Sequence, residues 1–128
     1  MSRKNPSSQP TTHTIQIVNG TTIVNASTYR DYVFAIPSNS SSIHAAGTFT
    51  VQGNAGNGII VYIFDSTNFE TYEDGGDFGG LYQSTQATTA LISSNMDSNG
   101  TYYLVLDNKL STIAQTVNIQ ANVTYTTP

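Results

Sequence analysis

The chain carries few groups able to do chemistry. Charged residues make up only 9% of its 128 positions, it has no cysteine, and His13 and His44 are its two imidazoles. A Ser-His-Asp triad needs an oriented imidazole, and a zinc enzyme usually takes three protein ligands, commonly including His. His13 falls in a polar amino-terminal stretch and His44 on the polar side of an alternating segment, so neither chemistry has its parts. Asp65, Asp107 and the acids of residues 70–77 are candidates for the carboxylate pair of glycoside cleavage, and nothing in their spacing separates them from solvated charges. No residue is assigned a catalytic role, and the chain is expected not to be an enzyme. The missing cysteines also exclude thiol catalysis, iron–sulfur clusters and a disulfide framework.

Three other groups of residues point to binding. Glu70, Glu73, Asp74 and Asp77 are half of the eight acids and lie among Gly75, Gly76, Gly79 and Gly80. An oxygen-rich, glycine-loosened loop suits Ca²⁺, although the spacing is not that of an EF-hand and the plain alternative is a wet, charged loop. Tyr62, Phe69, Tyr72, Tyr82 and Tyr103 fall on or near two apolar segments and this loop. Exposed tyrosines beside Asn, Gln and Asp stack sugar rings or partner side chains. The alternative is that they pack with their hydroxyls at the rim. Asn-x-Ser/Thr occurs at Asn19, Asn25, Asn39, Asn99 and Asn122, five candidate N-glycosylation sites. The competing explanation is that Asn is a good turn former.

Charge narrows the partners. Four bases against eight acids give a net charge of −4, and two of the bases, Arg3 and Lys4, stand at the start. A nucleic-acid surface needs clustered Lys and Arg, and an anionic membrane surface needs the same; neither is expected here. No apolar run approaches the ~20 residues of a membrane span, and no signal-peptide core follows Met1. Ser and Thr together number 33, Asn 12 and Gln 7. That neutral polar surface suits an extracellular or cell-surface protein.

The elements that must position these residues are strands. Residues 1–13 are polar, contain two prolines and have no period; they are expected to form a flexible arm ahead of a single domain over 14–128. From Thr14 onward apolar residues recur every second position. Ile15, Ile17 and Val18 begin one strand, and Asn19-Gly20 predicts a tight turn before Thr21–Asn25. Tyr32, Phe34 and Ile36 share a face, as do Ile43, Ala45, Gly47, Phe49 and Val51. A turn is expected over 53–58, with three glycines in six residues. Thr67-Asn68-Phe69-Glu70 fits a capping box and predicts one or two helical turns near 67–73, ended by Gly75-Gly76. Weaker strands are expected near Leu81–Ser84 and Thr89–Ser93, and Asp97–Gly100 reads as a turn. Val117, Ile119, Ala121, Val123 and Tyr125 alternate strictly with polar residues. About eight short strands with no long helix predict an all-β fold, an antiparallel β-sandwich.

Two segments break the alternation. Ile59–Phe64 and Tyr102–Leu106 are apolar on both sides, whereas the outer face of a sandwich sheet normally meets water. Either the short helix covers the surplus face, or part of that face is a docking surface.

The motif order resembles a GOLD-like, Golgi-dynamics-related β-sandwich module of secreted bacterial and archaeal proteins. The pieces that carry it are Val24-Asn25-Ala26 with Tyr29, Tyr32 and Phe34; Gly47-Thr48-Phe49; Gly56-Asn57 with Ile59 and Val61-Tyr62-Ile63; Phe69, Tyr72 and Gly75; and above all Gly100-Thr101-Tyr102-Tyr103-Leu104-Val105-Leu106-Asp107-Asn108, followed by Ser111 and Val117. The likeness spans about residues 20 to 125. It implies a non-catalytic interaction domain and transfers no functional residues. Related modules often carry an acid in the loop before the central strand, where this chain has Gly58.

Three readings of function follow. The first is a non-catalytic extracellular or cell-surface module that binds a protein partner through its aromatic face and the 66–80 loop. The second is a subunit of a surface filament or layer, self-associating by donating the Thr11–Val18 strand to an open sheet edge. The third is a carbohydrate-binding module using Tyr72 and Tyr82. No cofactor is expected apart from Ca²⁺ at the acidic loop.

Overall fold

The alternation read at the end of the chain is carried through in three dimensions. Val117, Ile119, Ala121, Val123 and Tyr125 are buried, while Asn118 and its polar neighbours on the other face are exposed or half-buried. This strand is the last of eight. The computed structural model describes residues 9–53 and 57–128. It contains β1 (Thr11–Val24), β2 (Tyr29–Ile36), β3 (Ser41–Gln52), β4 (Ile60–Asp65), α1 (Ser66–Glu73), β5 (Tyr82–Gln83), β6 (Thr89–Met96), β7 (Gly100–Asp107) and β8 (Gln115–Thr127). The fold is all-β, an antiparallel sandwich of two four-stranded sheets ordered β1-β8-β3-β6 and β2-β7-β4-β5. Apart from β4–α1–β5, every connection between consecutive strands crosses to the opposite sheet, as in a double-sheet jelly roll.

The core lies between the sheets. Phe49, Ile59, Val61, Ile63, Leu104, Leu106, Val117 and Val123 all have 0% exposure, which places the inward faces of both sheets fully out of water. Each such side chain contributes about 1.5–3 kcal/mol relative to an exposed position. The two segments that are apolar on both sides are neighbours: β4 pairs with β7, Tyr62 opposite Val105 and Phe64 opposite Tyr103. Their backs form a second apolar cluster of Tyr62, Phe64 and Val105, closed by Phe69 and Tyr72 of α1. The helix therefore covers the surplus face, and that face is not open for docking.

Several sequence expectations are corrected. Asn19-Gly20 is not a turn; the two residues lie inside β1 opposite Gln120 and Ile119. A hairpin there would fold β1 onto itself, whereas β8 is long enough to pair with both halves. The register is adjusted by a bulge at Ile17, between Gln16 and Val18. β1 starts at Thr11, so residues 11–13 belong to the strand rather than to the arm; residues 1–8 lie outside the described residues. His13 stacks on Tyr125 with ring centroids 5.0 Å apart, and its Nε2 lies 2.8 Å from Thr127 Oγ1. The Thr11–Val18 segment, expected as a donor strand, is paired with β8 of its own chain. Of the turn expected over 53–58, only Gly53, Asn57 and Gly58 are described.

The helix is capped two residues earlier than the sequence suggested. Asp65, not Thr67, is the N-cap, accepting from the Asn68 amide at 2.8 Å. Gly75, at φ +79°, follows the Asp74 C-cap as expected of a helix stop. No helix among the described residues is long and apolar enough to cross a membrane.

Candidate functional site

The site grows from the end of β7. Tyr102–Leu106 brings Asp107 to the edge of the aromatic cluster, where it is 7% exposed. Its Oδ1 accepts from the Lys109 backbone N–H at 2.7 Å, which turns the chain as β7 ends. Its Oδ2 accepts from the Tyr72 hydroxyl at 2.6 Å. α1 delivers Tyr72 because its buried residues, Phe69 and Tyr72, are three apart and so share one face. The Lys109 Nζ then lies 4.0 Å from the Tyr72 ring centroid and 5.2 Å from that of Tyr29. Tyr29 donates its hydroxyl to Glu73 at 2.6 Å, tying β2 to the end of the helix.

A cavity of about 230 Å³ opens beside this cluster, with Tyr62, Tyr72, Phe78, Asp107, Lys109 and Leu110 in its walls and Gly75-Gly76 at its rim. Phe78 stands edge-on to Tyr62, Phe64 and Tyr72 at 5.2–5.4 Å. Tyr62 is 6% exposed.

Burial raises the Tyr62 pKa, with the Asp107 charge adding to it. Burial, and then the bond to Asp107, drives the Tyr72 hydroxyl far above its ordinary value. Tyr29 is pushed up to about 12, first by burial and then by Glu73. All three hydroxyls stay protonated at neutral pH. With both Asp107 oxygens engaged, the cleft offers aromatic faces and negative charge rather than a free acid–base pair. Such surroundings hold cations and long basic side chains.

The sequence-selected residues are distributed as follows. Tyr62 and Tyr72 line this cavity, while Phe69 is buried beneath it. Tyr103 lies flat on Phe69, centroids 4.0 Å apart at 9°. Tyr82 is half-buried on another side and donates to the Leu91 carbonyl at 2.8 Å. Buried or stacked in this way, Tyr62, Phe69 and Tyr72 do not form the exposed ring platform that a carbohydrate module would use. Asp107, Lys109, Phe78 and Tyr29 were missed as a constellation, because they converge from four separate segments.

Glu70, Glu73, Asp74 and Asp77 are exposed, and among the described residues no three His, Asp or Glu gather as a metal site. Asn19, Asn25, Asn39 and Asn99 are exposed; Asn122 is half-buried on β8. Asn39 takes a left-handed turn conformation at φ 64°. His44 has Asn95 Oδ1 at 2.7 Å from Nδ1 and Ser93 Oγ at 3.4 Å from Nε2. This order is that of a hydrolytic triad, but the third member is a neutral amide that supplies no charge to an imidazolium.

A second polar cluster holds the same end of the sandwich together. The buried Asn108 amide donates to the carbonyls of Val24, Asn25 and Ile113 at 2.9–3.2 Å. Its Oδ1 accepts from Gln115 Nε2 at 2.5 Å, which also donates to the Gly58 carbonyl at 2.8 Å. Two amides thus fix three interstrand connections.

No protein-family model matches the chain, and no curated protein matches it. Among solved structures, the chain is similar to one from Bacillus endospore appendages, described as a family of disulfide-linked pili. The TM-score is 0.56 at 15% identity, over 100% of this chain and 99% of that one. It is also similar to a chain of infectious bursal disease virus, Gx strain, with a TM-score of 0.50 at 11% identity, over 93% of this chain and 32% of the viral one. At these identities the likeness is one of fold.

Proposed function

We propose that this protein is a non-catalytic, self-associating subunit of an extracellular filament or layer. The observation that carries this reading is the state of one sheet's edges. β1 and β6 bound the β1-β8-β3-β6 sheet with 14 and 8 residues, and neither contains an Asp, Glu, Lys, Arg or Pro. Monomeric sheet proteins usually guard such edges with charge or proline, because an open row of N–H and C=O groups templates another strand. Among the described residues no strand pairs with the outer side of β6, where the Tyr82 hydroxyl meets the Leu91 carbonyl, and this edge of one copy meets the β1 edge of the next. The two edges differ, so the contact is head-to-tail, the kind that builds an open filament when its rotation does not close a ring. The full-length likeness in fold to a pilus chain supports the same reading. The protein partner expected from the sequence is then a second copy, joined edge to edge rather than by a swapped Thr11–Val18 strand.

Size-exclusion chromatography across a concentration series, with negative-stain microscopy, tests this. Concentration-dependent growth into regular polymers is expected. Leu91→Lys on β6 and Gln16→Lys on β1, both at exposed positions, are expected to stop it. A monomer at every concentration overturns the proposal.

A further inference from the structure

We propose that Tyr82 is a latch on the β6 edge, its hydroxyl holding the Leu91 carbonyl until β1 of a second copy takes that carbonyl over; this deepens, and rests on, the self-association reading above. The direction of the backbone groups decides which of them a second copy reaches. The Val51 N–H donates to the Thr88 carbonyl at 2.7 Å, so Thr88, just ahead of β6, faces β3. Along an antiparallel pair, residues alternate between bonding the partner strand and turning away from it. Leu91, opposite Thr48, therefore turns its N–H and C=O toward the open edge, as do Thr89, Ser93 and Asn95. The Leu91 carbonyl accepts from the Tyr82 hydroxyl at 2.8 Å on that outward side.

The occupant follows from strand direction. Neighbouring strands of the β1-β8-β3-β6 sheet are all antiparallel. With four of them, β1 and β6 run in opposite directions at the two edges. A copy shifted sideways, same face outward, thus brings its β1 antiparallel to β6 with no rotation beyond the sheet twist. Its N–H groups arrive about 2.9 Å from the outward carbonyls. At Leu91 that place is held by a side chain from the other sheet. The Tyr82 ring packs against the core, and the Ser94 hydroxyl donates to the Leu81 carbonyl at 3.3 Å, which steadies the segment ahead of Tyr82. β6 has no charge or proline to guard its edge; the tyrosine hydroxyl supplies the guard in their place. One bond is exchanged for another when the neighbour docks, so the edge stays closed to weak encounters and opens to a full strand.

Sedimentation velocity and urea unfolding of the wild type and Tyr82→Phe test this together. The variant keeps the ring and loses the hydroxyl. It is expected to lower the concentration for half-assembly about fivefold, and to lower the urea midpoint of the dilute monomer. A tyrosine that only supports the fold would weaken assembly and stability alike. Residue-resolved amide exchange gives a separate readout. On assembly the Leu91, Ser93 and Asn95 amides are expected to slow, while Ile92 and Ser94, which face β3, keep their rates. A Tyr82→Phe protein that assembles no better than the wild type, with those three amides slowed in the polymer, overturns the latch and leaves edge pairing standing. Polymers in which the three amides exchange as in the monomer, or a wild type and variant both monomeric at every concentration, remove both.

Discussion

The Tyr72 hydroxyl and the Asp107 carboxylate meet at 2.6 Å beneath the only helix among the described residues. The bond joins α1 to the end of β7 and sets the floor of the cleft, so one contact governs both helix docking and site geometry. Phe69 and Phe64 supply the apolar half of the same junction.

Tyr72→Phe keeps the ring and removes the donor, leaving a buried carboxylate oxygen short of a partner. Hydrogen bonds to charged groups contribute about 1.5–3 kcal/mol, and a loss of that size is expected in urea unfolding, with the midpoint lower and the slope unchanged. Phe64→Ala in the same cluster is expected to cost more, about 3–5 kcal/mol, because it leaves a cavity at a fully buried position. A Tyr72→Phe protein as stable as the parent would show that the bond is not what seats the helix.

Alkaline pH is expected to loosen the same region. Tyr29 titrates near 12 in the folded protein against an ordinary value of 10.0. The folded state thus holds this proton more tightly, and its contribution is complete below about pH 10 and lost as pH rises toward about 12. Urea midpoints should fall across that interval, and less steeply in Tyr29→Phe. Glu73→Gln should bring tyrosinate absorbance in at lower pH. Equal slopes for Tyr29→Phe and the parent would contradict this account.

Asn108→Ala removes donors to three carbonyls and the acceptor for Gln115. Each buried group left unpaired costs about 1–3 kcal/mol, so a drop of several kcal/mol is expected, with faster amide exchange at Val24–Ser27 and at 109–115. Unchanged exchange at both connections would mean that the amide does not clamp them.

Gly58→Ala is expected to be damaging despite its small size. Gly58 adopts φ +93°, and an added Cβ would lie 1.9 Å from the Ala87 carbonyl oxygen. Strain and overpacking together are expected to cost roughly 3 kcal/mol, measurable as a lower denaturation midpoint. Gly20→Ala, with open space around it, serves as the control.

Much of the architecture was legible because period-2 alternation reports burial directly. The inward faces of β3 and β8 were read residue by residue, and the two doubly apolar strands stood out from the rest. Asn19-Gly20 misled because turn propensity is local, whereas the Gln120–Ile119 stretch that holds it straight lies 100 residues away. Strand order was hidden for the same reason. The cleft was half visible: Tyr62 and Tyr72 stood out as aromatics, but Asp107 gains its role only when Tyr72 reaches it from another element. The Asn108–Gln115 pair gave no signal, since amides are common throughout this sequence and nothing marks the buried ones.

Thr11 lies opposite Thr127, and the whole of β1 runs beside β8. The first ribbon therefore acquires its hydrogen-bonded neighbour only once the last one, about a hundred residues further along, has been made. Loss of Tyr125–Thr127 should accordingly fray Thr11–His13 first.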